Sequence, residues 1–262
     1  MGAVHFSLDP VLVDALQSAL PLRTLVETGT FKGDTPANLA NRFDRIVTIE
    51  LSDELWRAAA DRLAAYPHIE ALQGSSDVRL GERAASLATT PTLYWLDAHW
   101  CIAEGTAGET SQCPLLREIA AIGRLEANSV IAIDDARLFL STPPKPHEAS
   151  QWPRFQEIID HLRQASPTHE IAVVNDVIVF FPTAARQAVE RYARDHGTDW
   201  HQKMHRISVQ DDIIAKLREG SAVQMETINV LRARVAELEA GKAEPILDRI
   251  KRRARQSLLG KG

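Results

Sequence analysis

The stretch TLYWLDAHWC, residues 92–101, opens with five residues suited to a buried strand and closes on an acid and a base. Thr92 to Leu96 form an apolar, β-rich run; Asp97 and His99 break it abruptly. A strand that merely reaches the surface would also end in polar residues. The neighbouring strands decide between the two readings.

Working outward, short apolar runs alternate with helical patterns. Residues 24–30, 45–51, 69–75, 92–98 and 129–136 read as strands; 9–20, 36–42, 52–65, 77–87 and 114–125 read as helices. Pro10 suits a first helical turn and Ser52 an N-cap. Strand–helix alternation implies a Rossmann-like, doubly wound, mostly parallel sheet. The near-continuous apolarity of the strands agrees, because such sheets are covered on both faces. Residues 170–182 differ: two β-rich runs flank Asn175-Asp176, a pair that tolerates positive φ. This segment is expected to add an antiparallel hairpin to the sheet. The proline-rich stretch 141–153 reads either as a substrate-contact loop or as a surface insertion.

Parallel strands deliver their carboxyl ends to one edge, where ligands bind. Here that edge receives Glu27, Gly29, Thr30 and Gly33; then Glu50; then Ser75, Ser76 and Asp77; then Asp97 and His99; then Asp134 and Asp135. So many acids at strand ends are more than surface chance supplies. VETGTFKGDT (26–35) is neither a G-x-G-x-x-G fingerprint nor a P-loop, but its glycines allow close backbone approach to a ligand. Glu50, about twenty residues on, occupies the position from which an acid grips ribose hydroxyls.

These residues resemble the class I S-adenosylmethionine-dependent methyltransferases, in particular the metal-dependent O-methyltransferases of the catechol and macrocin sugar types. The resemblance spans residues 20–182. It implies that Glu27 and the turn from Gly29 through Thr30 to Gly33 sit by the methionine part of the cofactor, with Thr35 at its carboxylate. It also implies that Glu50 holds the ribose and that Ser75, Ser76 and Asp77 border the adenine. Asp97, Asp134 and Asp135 correspond to the family's Mg²⁺ ligands, and carboxylates suit that hard ion. Asp97 and His99 become the catalytic pair, with His99 as general base and an expected pKa near the ordinary 6.5 or below it beside a metal. Sugar-modifying relatives carry an acid at the position of His99, so His99 departs from their pattern. The implied activity is O-methylation of a sugar or glycan hydroxyl. The same fold would also serve a small secondary metabolite, and a degenerate domain would leave the chain a scaffold.

The glycine-rich segment 101–114, with Glu104 and Glu109, reads as a cover over the site, and Cys113 reads as packing. Two cysteines in 262 residues imply no disulfide framework, and a reducing cytoplasm is expected. The first residues lack the pattern of a signal peptide, and no run is apolar enough to span a bilayer. A net charge of −5 argues against a general nucleic-acid binder.

Beyond a methyltransferase domain at 1–182 the character changes. Residues 183–204 read as a helical connector and 205–240 as a coiled coil. Ile207, Ile214, Ser221, Ile228 and Val235 recur every seven residues, with Gln210, Leu217, Gln224, Leu231 and Leu238 three after each. Ile or Val followed by Leu favours a parallel dimer. A single helix folded back on the domain is the other reading. Gly220 weakens the helix by about 1 kcal/mol. Gly241 and Pro245 then punctuate the chain before a basic amphipathic tail, 241–262. Six of the 30 basic residues lie after residue 248, in a stretch suited either to an anionic membrane surface or to solvent.

Overall fold

The computed structural model describes residues 4–5, 7–100 and 111–259, and of residues 241–250 and 252–259 the backbone path alone. The chain forms two compact units, Met1–Thr198 and Asp199–Gly262.

In the first unit seven strands form one sheet: β1 (Thr24–Thr28), β2 (Arg45–Glu50), β3 (Ile69–Gln73), β4 (Thr92–Leu96), β5 (Val130–Ile133), β6 (Glu170–Val174) and β7 (Val177–Phe181). Their order is β3-β2-β1-β4-β5-β7-β6. The first five are parallel; β7 runs antiparallel to both β5 and β6. The expected doubly wound sheet with a closing hairpin is therefore the observed fold. Chain order reverses between β1 and β4, and the crevice of such a sheet opens there.

Side chains alternate between two cores. Val26, Val47, Ile49, Tyr94, Leu96, Ile131, Ile133, Ile178 and Phe180 face one core. It is completed by α4 (Ser76–Gly81), α5 (Ala84–Leu87), α6 (Leu115–Ile122) and α7 (Phe155–Ala165). Leu25, Ile46, Leu93, Trp95, Val130, Ala132 and Val179 face the other, with α1 (Pro10–Gln17) and α8 (Arg186–His196). The remaining helices are α2 (Asp34–Leu39) and α3 (Asp53–Leu63). The expected helix over 77–87 is broken into α4 and α5 on either side of Glu82-Arg83. Helix α7 was not anticipated: its inward face, Ile158, Leu162 and Ala165, is short and surrounded by charge.

The hairpin turn fulfils its sequence signal. Asn175 and Asp176 both take positive φ, 51° and 69°. Asn175 Nδ2 donates to the Tyr192 hydroxyl and to the His196 carbonyl, while its Oδ1 accepts from the Thr198 backbone. The Tyr192 hydroxyl donates to Asp9, whose other carboxylate oxygen caps α1. Helix α8 is thus part of the first unit, Met1–Thr198.

The second unit is one helix, α9 (Trp200–Leu259). It runs through Gly241 and Pro245, where punctuation was expected; a proline forfeits a backbone bond, and here the helix continues past it. The heptad residues Ile207, Ile214, Leu217, Ile228, Leu231, Val235 and Leu238 are all exposed, Leu217 at 68%. The side chains of the basic tail lie outside the described residues, as do Met1 to Ala3, Phe6 and the expected cover at 101–110. Among the described residues no helix is long and apolar enough to cross a membrane.

Candidate functional site

Register sets the site. Thr28 pairs with Ile49 and Leu96, Glu50 with Gln73, and Leu96 with Ile133. The strands therefore end level, and Gly29, Glu50, Gly74, Asp97 and Asp134 emerge along one edge. The ladder extends one step further: Gly29 N donates to Ile49 O, Asp97 N to Thr28 O and Asp134 N to Leu96 O.

The first cluster surrounds the glycine turn. Gly29 has φ 85°, and a Cβ there would lie 2.4 Å from the Asp97 carbonyl oxygen. Only glycine permits that contact between the β1 and β4 backbones. Beneath it Glu27 is 1% exposed. Its Oε2 accepts from Thr48 Oγ1 at 2.5 Å, and Thr48 is bonded to Thr30. Thr35 also reaches Glu27. Burial pushes the Glu27 carboxyl up to about 8, against the hydrogen bonds from Thr48 and Thr35. Glu50 is anchored differently: its two oxygens accept from Phe31 N and Ser52 N, each at 2.9 Å. Each oxygen keeps a lone pair for a diol. The third-strand end is less open. Ser75 Oγ donates to Asp77, and Arg117 holds the other Asp77 oxygen at 3.1 Å. These partners keep the Asp77 carboxyl below its usual range, the Ser75 bond most of all.

The second cluster answers the opening stretch. His99 Nε2 lies 2.9 Å from Asp135 Oδ2 and 3.8 Å from Asp97 Oδ1. Arg137 Nη1 binds Asp135 Oδ1 at 2.5 Å and also binds Asp176 Oδ2. The Asp176 carbonyl and Oδ1 accept from the backbones of Ala136 and Arg137. Burial works against charge on His99, but the Asp135 bond and the Asp97, Asp135 and Asp134 carboxylates outweigh it and raise its pKa. Burial also opposes charge on Asp135, yet His99 and Arg137 draw it down to about 2. Burial raises Asp97 and Asp134, and neighbouring carboxylates add to it.

The structure brings together Glu27, Gly29, Thr30, Thr35 and Glu50, and separately Asp97, His99 and Asp135. Arg137 and Asp176 were read from the sequence as backbone features or not at all. Glu118 was missed as well. It is 1% exposed on the apolar face of α6, bonded to Ser76 and Thr28, and its Oε1 lacks a partner. A glutamate among Leu115, Ile119 and Ile122 was the available signal. Asp134 Oδ2 is likewise buried and unpartnered. Burial pushes the Cys113 thiol up to about 12, which suits packing and not nucleophilic chemistry. Half-exposed Trp100 and His147 meet edge to face at 5.6 Å, and His147 meets buried Trp152 at 5.0 Å.

A resident Mg²⁺ was expected at Asp97, Asp134 and Asp135. Among the described residues no three His, Cys, Asp or Glu side chains are gathered as a metal ion requires. Asp135 has one oxygen on His99 and the other on a guanidinium. The donor set does not fit that ion.

No protein-family model matches the chain, and no curated protein matches its sequence. Several solved structures are similar to part of the chain. An S-adenosylmethionine-bound amino pentose methyltransferase, CalS10 of Micromonospora echinaspora, is 14% identical over 66% of this chain and 89% of its own, with a TM-score of 0.44. An O-methyltransferase from Bacillus cereus is 16% identical over 68% and 83%, TM-score 0.44. The methyltransferase PaMTH1 of Podospora anserina is 13% identical over 66% and 76%, TM-score 0.44. The fold rests on the sheet order and register, and the chemistry on the side chains above.

Glu27 yields a stability prediction. The folded chain holds a proton near pH 8 that the unfolded chain releases near 4.5. Stability therefore falls as pH rises between those values, by on the order of a few kcal/mol for a fully buried group. Glu27→Gln removes the penalty. Its melting temperature at pH 8 should exceed the parent's by roughly 5–10 °C, converging with it near pH 4.5. Parallel pH curves for the two proteins would contradict the burial argument.

Proposed function

We propose that the first unit is an S-adenosylmethionine-dependent O-methyltransferase acting on a sugar or glycan hydroxyl, with His99 as general base. The observation that carries the reading is the 2.9 Å contact of His99 with Asp135, at the edge that also presents Gly29 and Glu50. Glu50 would hold the ribose hydroxyls. Glu27 would face the cationic methionine end, and the Gly29 turn would admit the ligand close to the backbone. Bound there, the cofactor supplies an electrophilic methyl group on a sulfonium.

The remaining chemistry belongs to the protein. Asp135 fixes the imidazole tautomer by accepting from Nε2–H, which leaves Nδ1 to take the acceptor's hydroxyl proton. The resulting imidazolium gains the Asp135 charge. The Trp100–His147 corner supports a ring-shaped acceptor, since apolar sugar faces rest on aromatic edges and faces. That substrate class also follows the resemblance.

We further propose that α9 pairs with a second copy of this chain. Its exposed Ile/Val and Leu seam meets the same seam in register in a parallel two-stranded coil. Contact of the tail with an anionic membrane rests on its charge pattern alone.

Three outcomes follow. In calorimetry the protein should bind S-adenosylmethionine, and Glu50→Ala should weaken binding by about 1–3 kcal/mol; unchanged affinity would remove Glu50 from the site. With a sugar acceptor, the rate of S-adenosylhomocysteine release should rise with pH through a pKa above the ordinary histidine value, because only neutral imidazole accepts the proton. His99→Ala should lose that limb and roughly 10²–10⁴-fold in rate; a retained limb makes His99 structural. Light scattering should give a dimer for the full chain and a monomer for one ending at Thr198. A full-length monomer would refute the pairing.

A further inference from the structure

The resemblance asks for a divalent ion between Asp97, Asp134 and Asp135, and the side chains have arranged otherwise. Asp135 is the strand-end acid to which both His99 and Arg137 are bonded. Its Oδ1 takes the Arg137 guanidinium at 2.5 Å and its Oδ2 takes His99 at 2.9 Å. Arg137 is not a passing surface cation. Its backbone N–H is bonded to Asp176 Oδ1 at 2.8 Å, and its guanidinium is bonded to Asp176 Oδ2. Asp176 is itself fixed at φ 69° in the hairpin turn, and its carbonyl accepts from Ala136 at 2.7 Å. The cation is thus held by two strands at once.

Magnesium demands near-ideal octahedral oxygen geometry and sheds its water reluctantly. A ligand oxygen already in a charge-assisted bond to a guanidinium is a poor donor to it, and the two cations repel. His99 adds a second bound donor on the same carboxylate. We infer that the site works without a divalent ion, and that the Arg137 guanidinium occupies the role of the positive charge that orients Asp135. Arg137 is then a positioning residue acting through Asp135, and Asp176 is what seats it. Proton removal falls to His99 alone, with no metal to acidify the acceptor hydroxyl. The inference rests on the proposed methyl transfer for its meaning in turnover, but ion binding can be read without any turnover.

The test is direct titration of the full-length, chelator-treated protein with Mn²⁺, followed by electron paramagnetic resonance and checked by calorimetry with Mg²⁺. The titration is run with and without S-adenosylhomocysteine. The wild type should bind no ion at this site at about 1 mM metal, the weak end of the range for oxygen-ligand cation sites. Arg137→Ala takes the guanidinium off Asp135 Oδ1 and removes the competing charge. It should gain one Mn²⁺ per chain, lost again when Asp134→Asn is added, a change that loosened packing would not produce. One Mn²⁺ bound by the wild type and abolished by Asp134→Asn would overturn the inference. No binding by either protein would sustain the metal-free site and overturn the part assigned to Arg137. Failure of the protein to bind S-adenosylmethionine would sink the methyltransferase reading and leave these ion measurements standing.

Discussion

The contact on which the site depends is between two backbones. Gly29, just past β1, lies against the carbonyl of Asp97, just past β4, closer than any side chain at 29 would allow. These strands are neighbours in the sheet but far apart in sequence, and the chain departs from them in opposite directions, to β2 and β3 on one side and to β5 on the other. At that reversal the sheet edge presents the glycine turn and Glu50 past β1 and β2, and the His99–Asp135 pair past β4 and β5. Shifting the two strands by one residue of register would separate these groups and turn alternate side chains to the wrong face.

Burial at this edge sets function against stability. Glu27, Glu118 and Asp134 sit almost wholly out of water, and each has its carboxyl raised because charge there is poorly solvated. Two of them leave an oxygen with no partner. A cavity built only for stability would hold apolar side chains at these points, because unsatisfied buried polar atoms cost free energy. Their presence makes sense if a ligand supplies the missing donors, and the proposed cofactor carries an ammonium that can donate. Asp135 is the exception among the buried acids. Its two carboxylate oxygens are bonded to His99 and Arg137, and it is drawn below the ordinary carboxylate range where Glu27, Glu118 and Asp134 are raised.

What the sequence made legible follows from local rules. Apolar runs marked all seven strands, and the Asn175-Asp176 pair marked the hairpin through its tolerance of positive φ. Strand-end acids were visible because a parallel sheet sends every carboxyl end to one edge. Legibility stopped where the deciding contact joins distant positions. Asp176 looked like a turn residue, and its second function depends on Arg137, 39 positions earlier. Glu118 looked like an ordinary helix residue until Ser76 and Thr28 closed around it. The aspartates at 97, 134 and 135 fit a familiar ligand pattern, but residue type says nothing about which oxygen a guanidinium has already taken. Helix α7 was lost for a local reason: three inward apolar residues among charged neighbours are a weak periodic signal.

Asp135 shows why the second cluster is geometrically unusual. Strand β5 ends at Ile133, and continued pleating would turn Asp134 and Asp135 to opposite faces. Asp135 instead takes φ 53°, a left-handed conformation that costs a non-glycine residue about 1–3 kcal/mol. Such a conformation persists only where the surroundings over-determine it. Here Asp135 O accepts from Leu138 N, Ala136 N is bonded to the Asp176 carbonyl, and both Asp135 carboxylate oxygens are engaged. The strain turns the carboxylate back toward His99 instead of letting it follow the strand outward. The hairpin that completes the sheet therefore does more than cover an edge of β5. Through Asp176 and Arg137 it holds Asp135 in a backbone state the residue would not keep alone, and with it the orientation of the imidazole.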